Sequence, residues 1–456
     1  MSLISKRRQI LFSNNNYSHS SLRIIMPQSF IHIQKLFLVY ICWKTILLII
    51  ALCSPGRGYD TSSSLSNPEY HQELPFAVRY VGQKLTRWDA IYFVKISNRG
   101  YVYEQEWAFG WGMTRLIALC TAGLERVLSC EGLESIVGIL IAHIFHFLSV
   151  ITLFYLTATI FTEESLQFSF NSACLHIISP AGIFLSAPYA ESSCAFFSFA
   201  GCLIFTKSFY VKGDLRRDFL VLISGGLFGV TTVFRSNGVL NGCLLLEEAI
   251  RTLWDLKKNF QIITLRHLLV TSTAGLLVAC GSLLPQYFAY NEYCRVDLPL
   301  RREWCMRAFP SIYTFVQEHY WNVGLFRYWK SSNLPLFVLS APMYILLFIS
   351  GVKAINPAQD KVSRSYEFKR NVKVEDVNIW IRRNLAITQL LLAFGTLSFA
   401  HVQIIVRISS SCQTWIWFVA NSLLNQKKSL HKWSIRYMVT YCIVQAGLFS
   451  SFLPPA

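Results

Sequence analysis

Apolar residues in this chain gather into long, nearly unbroken stretches, and polar residues collect into two wide intervals and several narrow ones. A straight bilayer crossing takes about 20 apolar residues, so the pattern predicts membrane-spanning helices rather than amphipathic helices around a soluble core. Spans are expected near 35–54, 134–161, 166–186, 189–211, 219–235, 239–253, 265–289, 335–352, 384–407, 412–424 and 433–453. The stretch Trp111–Leu128 is apolar but interrupted by Arg115, Glu125 and Arg126, which suits a helix lying in the membrane interface. The fold class this predicts is all-α polytopic, with roughly 8–11 transmembrane helices.

Residues 1–34 are basic, with Lys6, Arg7, Arg8 and Arg23 and no acidic residue, and are read as a cytosolic tail before an uncleaved first span. Residues 35–456 then form a single multispanning domain. With the tail in the cytosol, the Lys/Arg-rich connections Lys212–Asp218, Arg251–Arg266, Lys353–Arg383 and Asn425–Lys432 also fall on the cytosolic side, as the positive-inside rule requires. The polar intervals at about 55–133 and 290–334 share the opposite face. The connection at about 353–383 is read as a mobile cytosolic loop. The sole Asn-x-Ser/Thr sequon, at Asn16, lies in the cytosolic tail, so no glycan is expected. Lys44, near the middle of the first span, is expected to snorkel or to face the bundle.

Composition agrees: 53% of the 456 residues are hydrophobic and 15% charged, with mean hydropathy +0.39, where soluble domains carry about 25% charged residues. The net charge of +17 is scattered between apolar spans rather than drawn into one stripe, and no nucleic-acid module is visible. The thirteen cysteines stand mostly alone in apolar runs, with no C-x-x-C pair, so no metal site is expected. Cys294 and Cys305, eleven apart in the second polar interval, could pair in an oxidising compartment.

The first polar interval contains RWDAIYFVKISNRGYVYEQEWAF, Arg87–Phe109, where Asp89, Glu104 and Glu106 stand among aromatics that include Trp88. Carboxylates so close to a membrane are costly unless paired or used; the alternative is an interfacial aromatic belt with solvated acids. Three further clusters fall on the same face. PYAES places Pro188 and Glu191 at a turn, FRSNGVLNG places Arg235 and Asn237 at another, and HVQIIVR places His401, Gln403 and Arg407 at the end of a span. Arginine forks suit phosphates, while amides, acids and aromatic faces suit a sugar. Competing readings are that Glu191 and Arg235 simply pair across the bundle, and that His401 is a satisfied core histidine. The second interval adds Arg301 and Arg302.

Taken in order, RWDAIYF…YVYEQEWAF, SAPYAES, FRSNGVLNG, YWNVGLFRYW with LPLFVLSAP, and HVQIIVR resemble the motif blocks of the GPI mannosyltransferase II family. Two local departures are Gly110–Thr114, where a Pro-containing turn is usual, and Ser409–Thr414, which lacks a Pro. The resemblance implies a GT-C type bundle in the endoplasmic reticulum membrane, with its catalytic groups facing the lumen. It implies transfer of the second mannose, α-1,6, from dolichyl phosphate mannose to the mannosyl-glucosaminyl-phosphatidylinositol precursor, with inversion. On this reading Asp89 is the base, with Glu104 and Glu106 as competitors. Arg235 and Arg407 hold the donor phosphate, and Arg301 and Arg302 serve the acceptor's phosphoinositol. Trp88, Glu191, Asn237, His401 and Gln403 complete the substrate-binding set. No cofactor and, in principle, no divalent metal are required. A small membrane partner subunit is also implied. The alternatives are another dolichyl-phosphate-mannose-dependent transferase, or a polytopic lipid transporter or scramblase.

Overall fold

In the computed structural model, five described helices are long and apolar enough to cross a bilayer: Ser29–Cys53, Glu134–Ile160, Asp214–Phe234, Ile262–Tyr293 and Ser331–Ile355. The structure describes residues 19–56, 74–128, 130, 132–162, 164–295, 302–356, 372–425 and 428–454. No strand occurs among them. The α-helices in order are α1 (His19–Cys53), α2 (Phe76–Leu85), α3 (Asp89–Arg99), α4 (Trp111–Leu128), α5 (Glu134–Ile160), α6 (Leu166–Ile177), α7 (Glu191–Ser208) and α8 (Asp214–Phe234). They continue with α9 (Gly242–Lys258), α10 (Ile262–Tyr293), α11 (Ile312–His319), α12 (Leu334–Ile355), α13 (Val372–Phe399), α14 (Ile404–Ile408), α15 (Thr414–Leu424) and α16 (Lys428–Ser450).

Helices α5, α7, α8 and α10 pack side by side in that order, with α12, α13 and α15 closing one flank and α1, α6 and α16 the other. The α8–α10 contact is backbone on backbone. A Cβ on Gly225, Gly229 or Gly281 would meet the facing helix at 2.6, 2.5 and 2.2 Å, so only glycine lets these helices approach so closely. α9 carries Glu247 and Glu248 mid-helix, and both are partnered: Trp380 Nε1 donates to Glu247 at 2.6 Å and Arg217 pairs with Glu248 at 2.5 Å.

Three expectations change. The stretch expected to cross at 166–186 is a twelve-residue helix, α6, followed by a short 3-10 turn at Gly182–Leu185, with every residue from Ser179 to Ala190 buried. Pro180 and Pro188 cannot continue a helix, and irregular backbone at membrane depth survives only when packed inside protein. The span expected at 384–407 breaks at Ala400–Gln403 and resumes as the five-residue α14. The loop expected at 353–383 is shorter, since α12 runs to Ile355 and α13 begins at Val372; residues 357–371 lie outside those described. The described part of the first polar interval is largely helical, folded as α2, α3, a 3-10 turn at Glu104–Ala108, and α4.

The second polar interval has its own small core around Trp304, built with Ala289, Cys294, Ile312, Phe315 and Val316. Cys294 and Cys305 form a disulfide that closes it, with Cα atoms 5.6 Å apart.

Candidate active site

Four segments far apart in sequence are joined through the Arg407 guanidinium and the Glu191 carboxylate. Arg407, on α14, donates from Nε to Glu191 Oε1 at 2.7 Å and from Nη1 to Asp89 Oδ2 at 2.9 Å. Arg235, just past the end of α8, donates to the same Glu191 oxygen at 2.6 Å and from Nε to Asn237 Oδ1 at 3.2 Å. The clusters WD, PYAES, FRSN and HVQIIVR are therefore one hydrogen-bonded knot. The pairing of Glu191 with Arg235 is present, but as part of this larger network.

Local structure explains the placement. Asp89 and Glu191 are the first residues of α3 and α7, where the helix macrodipole favours a carboxylate. Glu191 is wholly buried, while the Asp89 side chain is 38% exposed. The arginines compensate the buried charge, without which it would be prohibitive in this bundle. The rings of Phe184 and Tyr189, each 4.7 Å from the Arg407 guanidinium, pack against it further. The Tyr189 hydroxyl donates to the Arg87 carbonyl at 3.3 Å, tying the buried segment to the residue two before Asp89. Between them, Trp88 sits at φ +57°, a conformation rare for a bulky residue and one that marks functional sites when the surroundings enforce it. Its ring packs edge-on against Phe452, 5.0 Å away.

The other two acidic candidates are engaged elsewhere. Glu106 is buried, paired with Arg99 at 2.5 Å, and accepts the backbone N–H groups of Val102 and Tyr103 at 2.8 and 3.1 Å, so it holds the turn of the first loop. Glu104 accepts the Trp304 indole N–H at 3.0 Å and lies 3.5 Å from Arg302, so it joins the two polar loops. Arg302 thus faces Glu104, and Arg301 lies outside the described residues. Burial, then the nearby Asp89 and Glu106 charges, push the Tyr92 phenol above its ordinary value.

His401 and Gln403 do not join the knot. The break after α13 turns them toward the second loop: His401 Nε2 donates to the Trp321 carbonyl at 3.1 Å, and the ring stacks on Tyr328 at 4.7 Å. The Tyr328 hydroxyl donates to Gln403 Oε1 at 2.9 Å. Loop donors also satisfy the last carbonyls of α13, Phe326 N–H at Ser398 and Trp329 Nε1 at Leu397, which is why the helix can stop there. His401 and Arg407 therefore serve different surfaces.

Two residues were not singled out for the site by sequence reasoning. Of its two expected placements Lys44 takes the second and faces the bundle; buried there, it donates to the Leu185 carbonyl at 3.0 Å and to Ser186 Oγ at 2.7 Å, holding the segment that carries Tyr189 and Glu191. A mid-span lysine was the available signal, but nothing in the sequence named its partner. Gly110 passes so close to α8 that a Cβ would lie 1.8 Å from the Phe234 carbonyl oxygen, the residue before Arg235. The Gly110–Thr114 departure thus seats the first loop directly against the arginine turn. Among the described residues no three His, Cys, Asp or Glu side chains are arranged so that they could hold a metal ion.

The family described as Mannosyltransferase (PIG-V) matches residues 33–456. The chain is 39% identical to a GPI mannosyltransferase 2 of Chaetomium globosum, covering 91% of this chain and 95% of that protein. It is also 39% identical to one from Gibberella zeae (92% and 96% covered) and 38% identical to one from Aspergillus oryzae (93% and 96%). Among solved structures, the apo oligosaccharyltransferase of Archaeoglobus fulgidus aligns with TM-score 0.42 at 13% identity, over 91% of this chain; the chain spans only 56% of that protein. With a family match across nearly its whole length and relatives of this identity, the chain is a multi-pass membrane protein belonging to the PIG-V mannosyltransferase family.

Proposed function

We propose that this protein transfers the second mannose, in α-1,6 linkage, from dolichyl phosphate mannose to the mannosyl-glucosaminyl-phosphatidylinositol precursor of GPI anchors. The observation that carries the reading is the knot itself: a half-exposed carboxylate held by an arginine that a buried carboxylate anchors in turn. The acceptor 6-hydroxyl oxygen attacks the anomeric carbon of the donor mannose, and Asp89 takes the hydroxyl proton. The bond from that carbon to the phosphate oxygen breaks, and dolichyl phosphate leaves with the electron pair, inverting the β-linked donor. A phosphate leaving group needs charge stabilisation more than protonation. The Nη2 edges of Arg235 and Arg407, which neither carboxylate engages, supply it. Glu104, Glu106, His401 and Gln403 fix the two loops around this centre. No divalent metal takes part in this scheme.

The site faces the endoplasmic reticulum lumen on this reading. The Cys294–Cys305 disulfide, in a loop that touches the first, supports that orientation because such bonds persist in oxidising compartments. Protection of these two cysteines from alkylation in sealed microsomes until reduction and permeabilisation is the expected result; labelling from the cytosolic side would reverse the orientation. A small membrane partner subunit belongs to the proposal and would be seen by co-purification in mild detergent.

The decisive experiment is labelled-mannose transfer by purified protein, with and without chelator, alongside the lipid that accumulates when the chain is depleted. Accumulation of a one-mannose precursor and chelator-resistant transfer are expected. Accumulation of a precursor with no mannose, or with two, would refute the step assigned.

A further inference from the structure

A cavity of about 830 Å³ lies outside the Asp89–Arg407 knot, with no member of the knot in its lining. Four rings wall it: Tyr101 and Trp107 from the first loop, Trp111 at the start of α4, and Phe288 near the end of α10. Tyr101 stacks on Trp107 at 4.3 Å and Trp111 on Phe288 at 5.8 Å, so two ring pairs face the space. Its polar groups are Arg115, Arg295, Asn291 and Glu292. Arg115 is carried over the rings of Tyr101 and Trp111, 5.7 Å from each, and among the described residues neither arginine is paired with a carboxylate. Two cations against one acid leave the cavity net positive.

Aromatic faces beside guanidinium forks and an amide suit a sugar that carries a phosphate. The surroundings suit a lipid. Leu119 follows Trp111 and Arg115 at successive steps of four on α4 and is 73% exposed, while Leu284 precedes Phe288 by four on α10 and is 50% exposed. The polar cavity therefore runs into an apolar flank on both of its helices, which a free sugar phosphate would not use. The cavity also communicates with the base. The Tyr101 hydroxyl donates to the Phe109 carbonyl at 3.0 Å, and the Phe109 ring stacks at 4.4 Å on Tyr92, three residues from Asp89.

We infer that this cavity binds the phosphate-bearing glycan headgroup of the lipid acceptor. Arg115 and Arg295 hold the phosphodiester, the ring pairs lie under the sugars, Asn291 and Glu292 take hydroxyls, and the acyl chains run along Leu119 and Leu284. This rests on the transferase reading and moves the acceptor's phosphate from Arg302, which faces Glu104, to a pair of cations that form no ion pair among the described residues.

The test uses the purified full-length protein with a short-chain mannosyl-glucosaminyl-phosphatidylinositol as acceptor, in both steady-state transfer and donor-free equilibrium binding. Arg115→Gln and Arg295→Gln lie at exposed positions, so both variants should fold. Each should raise the acceptor KM and its dissociation constant about tenfold, with turnover at saturating acceptor and donor KM unchanged. Trp111→Leu should do the same to a lesser degree. Acceptor KM within twofold of wild type in both arginine variants overturns the inference, as does a rise confined to donor KM, which would assign the cavity to mannosyl phosphate. The two proposals fail separately. Normal mannose transfer with unaltered acceptor affinity in the variants removes the cavity and keeps the transferase; acceptor binding that the variants weaken, with no mannose transferred by wild type, does the reverse.

Discussion

Asp89→Asn separates chemistry from architecture, because the same side chain contributes very differently to each. It is 38% exposed and shares one oxygen with Arg407 at 2.9 Å, so the ion pair adds on the order of 1 kcal/mol or less to stability. Losing the charge at the start of α3 costs a further ~0.3–1 kcal/mol. The amide keeps an oxygen that can still accept from Arg407, whose second contact, to Glu191 at 2.7 Å, is untouched. Removing a general base, by contrast, lowers turnover by about 10²–10⁴, equivalent to roughly 3–5 kcal/mol in the barrier. The expected variant is therefore folded, melts within a few degrees of wild type in detergent, and transfers labelled mannose at under one hundredth of the normal rate. Glu191→Gln is the contrast. Its carboxylate is wholly buried and serves two arginines, so losing it costs about 3–5 kcal/mol and should deplete folded protein. Asp89→Asn protein retaining more than a tenth of wild-type turnover would refute the base assignment. So would a loss of activity that merely follows loss of folded protein.

Gly110→Ala forces a Cβ to within 1.8 Å of a backbone oxygen that cannot rotate away, so the first loop must shift by about 1 Å; turnover should fall roughly 100-fold in the transfer assay, with protein still inserted. Lys44→Met strands the Leu185 carbonyl, at a cost of about 1–3 kcal/mol, and should lower the melting temperature. Arg407→Lys keeps the charge but not the fork that spans Glu191 and Asp89, so turnover should drop at least tenfold and donor KM should rise; unchanged values would make Arg407 dispensable. In the second loop, Arg327 and then Arg307 hold the Glu318 carboxyl below its ordinary 4.5. The stability this adds is complete above that value and is lost as pH falls through the lower folded one, so protection of residues 303–330 against hydrogen exchange, taken relative to the intrinsic rate at each pH, should hold from neutral pH down to the ordinary carboxylate value and weaken only below it.

Much of the fold was legible because bilayer crossings announce themselves by length and apolarity: α1, α5, α8, α10 and α12 all lie where long runs predicted them. The failures share a physical cause. α6 and the buried segment to Ala190 are as apolar as a crossing, and hydropathy cannot tell an apolar helix from an apolar loop packed inside protein. Likewise α13 continues in hydropathy through Ala400–Gln403, and what stops it is tertiary: carbonyls at Leu397 and Ser398 find donors in Trp329 and Phe326, which lie about 70 residues earlier in the chain. For the site, the residue types were readable but their partners were not. Three carboxylates of the first polar interval competed for the base in sequence, with Asp89 preferred. Only the fold shows Glu106 saturated by Arg99 and two backbone amides, Glu104 bound to Trp304, and Asp89 alone both open to solvent and held by the knot.

The HVQIIVR stretch shows why that separation matters. Read as the end of one span, it gives both His401 and Arg407 to the substrate. The break at Ala400–Gln403 instead divides the labour. His401 and Gln403 fasten Trp321 and Tyr328, and with them the second loop, while α14 turns Arg407 inward between Glu191 and Asp89. Val402, Ile405 and Val406, all essentially buried, fix the short helix that makes the turn. An aromatic belt with solvated acids would need neither the break nor the shared guanidinium, since a belt residue gains from the interface alone. The convergence of α3, α7, α8 and α14 on one network of two arginines and two carboxylates is costly to bury and is stabilised only by mutual pairing, so it belongs to a centre that handles charge.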